Sequence, residues 1–129
     1  MPLMRVDMVK GRSKEEIRKI LDIAYQAASE EFHLLPRDRF QIVTQHEPDE
    51  MRIEDVGLGF HRTKKFLMFS ITSSPRQLED KKRFYSRLVK DLHEQLGISP
   101  EDVMINLTCN TREDWSFGMG EAQFLNGKL

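Results

Sequence analysis

The sequence predicts an α/β (α+β) domain: two tandem βαβ units forming a four-stranded mixed sheet with two helices on one face. Three observations carry that reading. Apolar runs with strand character at residues 3–9, 39–44, 66–73 and 103–109 alternate in pairs with two long helical patterns. Adding 64 to a position in the first half finds its counterpart in the second: Met4 and Met68, Arg12 and Arg76, Ile20 and Phe84, Ala28 and Leu92, Pro36 and Pro100. Finally, 129 residues suit one domain with a core of its own.

Each element has a local cause. Residues 3–9 are rich in apolar side chains and end at the turn Gly11-Arg12-Ser13. Ser13, with Glu16 three positions on, reads as a capping box for the first helix. Ile17, Ile20, Leu21, Ala24, Ala27 and Ala28 then recur at helical spacing until His33-Leu34-Leu35-Pro36 breaks the pattern. The second strand follows at 39–44, and a βαβ unit of this length makes its two strands parallel. Residues 46–65 read as a connector with Pro48, Gly57 and Gly59, and with a short strand expected at 51–54. Residues 66–73 form the most apolar strand. Phe84, Leu88, Leu92 and Leu96 mark the second helix, and Gly97 is placed to end it. The pseudo-repeats therefore span 2–45 and 66–110, and 111–129 is a carboxyl-terminal arm. A sheet covered on one face leaves the other to be buried, most economically by further copies of the chain.

Composition narrows the function. With 20 basic and 21 acidic residues, the net charge of -1 gives no reason to expect nucleic acid or an anionic membrane as partner. The sequence has no long apolar run and no export leader, and the lone Cys109 suits a reducing cytoplasm. Its place in an alternating strand pattern reads as a buried structural thiol. His33, His46, His61 and His93 are scattered without metal-ligand spacing, so neither a metal nor another cofactor is expected.

The chemically unusual feature is Pro2. Removal of Met1 turns its ring nitrogen into a free secondary amine, and terminal amines titrate close enough to neutrality to act as base or acid. Burial or an arginine lowers such a pKa, and a carboxylate raises it. Penultimate proline also occurs with no chemistry attached.

Pro2 opening a strand, the Gly11-Arg12-Ser13 turn and the second βαβ unit together resemble the tautomerase superfamily. The stretches 38–43, 54–59, 83–85 and 114–118 look most like its malonate semialdehyde decarboxylase group. The resemblance covers essentially the whole chain. It implies a homotrimer with pockets near subunit boundaries, a small oxo-acid substrate, and Pro2 as the catalytic amine. It further implies Asp38 as assistant to the proline and a water, and Arg76 as a carboxylate-binding arginine. A second arginine is expected two residues before Arg76, and that position is Ser74. Arg12, Arg37 and Arg39 are the basic residues that stand as replacements. Arg12 itself matches the turn arginine of the small tautomerases.

Each residue also has a plain alternative. Arg76, without the family, reads as a helix-start surface arginine, and Asp38 as a residue that caps or turns the chain before the strand. Gln41 is a pocket residue or an outward strand position; Trp115 and Phe117 line a pocket wall or pack in the core or trimer. Three functions follow: an enzyme on small oxo acids (decarboxylation or hydration with keto–enol tautomerase activity, or tautomerase alone), a non-catalytic binding or signalling relative, or a fold-only relative with Met1 retained.

Overall fold

The computed structural model describes all residues, 1–129. The elements run β1 (Leu3–Val9), α1 (Lys14–Glu31), β2 (Phe40–His46), β3 (Leu67–Ser73), α2 (Leu78–Leu96) and β4 (Val103–Cys109). One sheet has the order β2-β1-β3-β4; β1 is parallel to β2, β3 is parallel to β4, and the central pair β1 and β3 is antiparallel. This is the expected mixed sheet of two βαβ units. β3 lies 64 residues after β1, end for end.

Pleating sorts the central strands by face. Met4, Val6 and Met8 of β1, with Leu67, Phe69 and Ile71 of β3, are buried against Ile20, Ala24, Ala27 and Ala28 of α1 and Phe84, Leu88 and Leu92 of α2. Small alanines on α1 let the helix approach, and Phe32 and Phe84 fill the gap with rings 4.7 Å apart. Above the core, Arg87 of α2 bridges to Glu30 and Glu31 of α1 and to Asp91 on its own helix. The opposite sheet face has no helix over it, and Phe40, Ile42 and Met104 are exposed there.

Helix ends follow the local chemistry. The Ser13 hydroxyl accepts from the Glu16 amide at 3.1 Å, but the Glu16 carboxylate turns to Arg12 Nε at 3.4 Å, so only half of the capping box forms. Gly97 takes φ 68°, and the Gly97 and Ile98 amides close back onto His93 and Leu92.

Three expectations are corrected. No strand forms at 51–54, because the Pro48–Glu50 turn, capped reciprocally by Glu47 and Glu50, leads into a segment with no sheet edge to join. Cys109 is exposed: it ends an edge strand, and the apolar alternation of β4 gives only half-buried positions at Val103, Ile105 and Leu107. The second strand starts at Phe40 and runs to His46, held by pairing with the whole of β1 rather than by its own pattern. No helix is long and apolar enough to cross a membrane.

Leu88→Ala is expected to lower the unfolding free energy by about 2–5 kcal/mol in urea titration, since the side chain is fully enclosed. Gly97→Ala should lose about 1 kcal/mol from the left-handed backbone alone.

Candidate functional site

The strand directions decide which residues meet. In the antiparallel β1/β3 pair Leu3 lies opposite Thr72, so the start of β1 is beside the end of β3. In the parallel β1/β2 pair Leu3 lies opposite Phe40, so the residues before β2 flank the same point. Pro2, Asp38, Ser74 and Arg76 therefore gather at one end of the sheet. Arg12 follows the other end of β1, about 23 Å away along a seven-residue strand. It occupies a strand-to-helix turn equivalent to that of Arg76, but the antiparallel centre places the two turns at opposite ends.

At the gathered end the terminal ammonium, carried by Met1, is paired with Asp38 Oδ2 at 2.7 Å, both largely shielded from solvent. It stands one residue ahead of the nitrogen that removal of Met1 exposes on Pro2. Burial holds this amine below its usual pKa, and the charge of Arg76 pushes the same way; the hydrogen bond and charge of Asp38 oppose them. Pro2 is buried and shares a small cavity with Asp38, Met4, Tyr25 and Gln41.

Arg76 is fixed by its surroundings. Nε donates to Ser73 Oγ at 3.0 Å and Nη1 to the Phe32 carbonyl at 2.8 Å, with the guanidinium over the Phe32 ring. The Nη2 end stays unengaged. Burial lowers its pKa, against the charges of Asp38 and Asp80. Ser74, half-buried, adds no charge. Gln41 borders the small cavity, yet its amide donates to the Leu21 carbonyl at 2.8 Å and accepts from Arg39 Nε, which ties β2 to α1.

The arm supplies an apolar wall. Trp115 stacks on Phe117 at 5.6 Å and is held by Nε1–H donating to Asn110 Oδ1. Phe117 in turn stacks on Phe40 and meets Phe124 edge-on. Phe117, Phe40, Phe124, Leu35 and Leu129 enclose, with Met1, Arg37 and Asp38, a cavity of about 250 Å³. Phe40, Phe124, Leu129 and Arg37 of this lining were not singled out as wall residues from sequence. The available signal was the aromatic density of residues 115–124 within a polar stretch. A groove of about 620 Å³ between the connector and Val9 lies at the other end, away from the amine.

A tandem βαβ sheet with the chain's terminal amine set against a carboxylate at the start of its central strand defines a tautomerase-fold protein. Residues 38–118 match the family described as tautomerase enzyme, and the chain belongs to that family. It is 45% identical to the probable tautomerase YrdN of Bacillus subtilis (strain 168) over the full length of both chains. It is 33% identical to YusQ, a probable tautomerase of the same strain, over 97% of this chain and 99% of that one. Among solved structures, a malonate semialdehyde decarboxylase discussed for decarboxylase and hydratase activities superposes with a TM-score of 0.96 at 42% identity, covering 98% of each chain. FG41 malonate semialdehyde decarboxylase inhibited by 3-bromopropiolate gives 0.93 at 38%, covering 98% of this chain and 97% of that one. A fused 4-OT symmetric trimer shares the fold at 16% identity, with a TM-score of 0.77 over 96% of this chain and 98% of that one.

The opposing influences on the amine give a directional test. Asp38→Asn should lower the pKa of the terminal amine and Arg76→Ala should raise it, read by NMR titration of the amine. A shift of either variant in the other direction would contradict the arrangement.

Proposed function

We propose that the protein is an enzyme of small oxo acids whose catalytic group is the Pro2 amine, exposed by removal of Met1, with decarboxylase and hydratase chemistry and accompanying keto–enol tautomerase activity. The observation that carries this reading is the half-buried terminal amine paired with Asp38 beside Arg76. A neutral Pro2 takes the proton from the carbon next to a ketone and returns it elsewhere. A protonated Pro2 instead polarises the carbonyl while Asp38 orients an attacking water. In decarboxylation of a 3-oxo acid the bond to the carboxylate carbon breaks and its electron pair becomes an enolate, which protonated Pro2 stabilises and then protonates. Arg76 holds the substrate carboxylate through its unengaged nitrogen. Trp115 and Phe117 shield the reacting carbons from water, and Ser74 and Gln41 border the site as polar neighbours. The uncovered sheet face, with Phe40, Ile42 and Met104, supports a homotrimer, the assembly described for the fused 4-OT relative.

Tautomerase activity alone is the second reading, favoured by one observation: Ser74 stands where a second carboxylate-binding arginine is expected. The two readings separate on malonate semialdehyde, which only the first turns over.

The test combines intact mass with pH–rate profiles for wild type and Pro2→Ala. The mass should lack methionine, and Pro2→Ala should lose about a hundredfold or more of the rate. A neutral base is gained as pH rises, so turnover of phenylenolpyruvate should climb through the Pro2 pKa. An acid is lost as pH rises, so decarboxylation should fall through the same midpoint. Retained methionine, or full activity in Pro2→Ala, would remove the proline mechanism.

A further inference from the structure

Arg76 stands close enough to the terminal amine and Asp38 for their charges to interact, but it has no second arginine at position 74, and a carboxylate gripped from one side is free to swivel. The three arginines that remain as replacements are separated by the structure. Arg12 is at the far end of β1 with its guanidinium enclosed beneath Lys65 and Glu16. Arg39 is already engaged: Nη2 donates to Asp22 at 2.7 Å, Nε to Gln41 at 2.8 Å, and the guanidinium lies 4.6 Å over the Tyr25 ring. Arg37 alone makes no ion pair and no side-chain hydrogen bond within the chain, and it lines the same cavity as the terminal amine and Asp38.

Its backbone is informative too. Residues 35–38 form a turn closed by the Asp38 amide donating to the Leu35 carbonyl at 3.2 Å, with Pro36 second and Arg37 third at φ 66°. That is the geometry of a type II turn, whose third position favours glycine. A long charged side chain stands where the backbone favours glycine, and strained positions of this sort cluster at ligand sites. Arg37 comes from the turn before β2 and Arg76 from the turn after β3, on either flank of the start of β1 where the amine and Asp38 meet.

We infer that Arg37 is a substrate-binding residue, the second carboxylate-holding cation that Ser74 does not supply, and that the enzyme grips its oxo acid between the end of β3 and the turn before β2. This assignment rests on the function proposed above. It also narrows the ligand: a monocarboxylate whose apolar body lies along Phe117 and Phe124.

Arg37→Gly is the informative variant, because glycine suits the turn and preserves the fold. It should raise KM for phenylenolpyruvate by about tenfold with little change in kcat, since an interaction present equally in ground and transition states is removed. Arg37→Lys should recover part of the loss, and Ser74→Arg in the Arg37→Gly background should restore KM. Phenylacetate, followed by Trp115 fluorescence, should bind Arg37→Gly about tenfold more weakly, by loss of a charge-assisted contact, whereas uncharged phenylacetamide should not distinguish the two proteins. Unchanged KM and phenylacetate affinity in Arg37→Gly, a fall in kcat alone, or failure of wild type to bind phenylacetate would overturn the assignment. Full activity in Pro2→Ala would instead overturn the proline mechanism, and the phenylacetate measurement would still decide Arg37.

Discussion

The antiparallel pairing of β1 with β3 is the constraint on which the rest depends. Two parallel βαβ units are ordinary, but joining them through antiparallel central strands brings the beginning of one unit to the end of the other. The terminal amine then lies beside the β3-to-α2 turn that carries Arg76. The parallel pairing of β2 adds Asp38 from the other flank. Had β1 and β3 run parallel, Arg12 and Arg76 would share an end and the amine would have neither turn for company. Core burial along Met4, Val6, Leu67 and Phe69 enforces this register, since a one-residue slip would turn those side chains to the open face.

The internal repeat makes the molecule its own control. Sixty-four residues beyond Pro2 stands Phe66, and beyond Asp38 stands Asp102; Arg12 precedes Arg76 by the same interval. At the first end the aspartate meets an amine. At the second, Asp102 is fully buried and accepts from the Thr63 amide at 2.7 Å and from the Thr63 hydroxyl, so the connector fills the place that the terminus holds opposite. The Arg12 guanidinium is covered there, its Nη2 donating to the Lys65 carbonyl. One architecture thus yields an end where the aspartate meets an amine and an end where the connector satisfies the aspartate and covers the arginine.

Much of this was legible in the sequence, and the limits have physical causes. Ser13, Gly97 and the 3.6-residue periodicity of both helices act within a few residues, so they mark helix ends wherever they occur. The constant offset added long-range information that periodicity lacks, and it led to the sheet. Edge features were harder: Cys109 follows an apolar alternation as regular as that of a central strand, and nothing local reveals that no strand lies beyond β4. Pro2 stood out by its own chemistry, but Asp38 and Arg76 were joined to it only through family likeness, because no spacing connects positions 2, 38 and 76. The wall of Phe40, Phe117, Phe124 and Leu129 joins β2 to the last residues of the chain, and that meeting is settled only by tertiary folding. Arg12 and Arg76 looked equivalent because their local contexts are equivalent; strand direction, a global property, separates them.

The burial of the terminus has a consequence for how the chain is made. β1 is made before its central partner β3, which follows 64 residues later. At ordinary elongation speeds that is a wait of about 3–13 s. During this interval β1 lacks one of its two neighbours. Once β3 docks, its following turn brings Arg76 to the amine and Asp38, which β2 has already set together. Synthesis order thus assembles this end of the sheet in two stages, the amine and its carboxylate first and the arginine second.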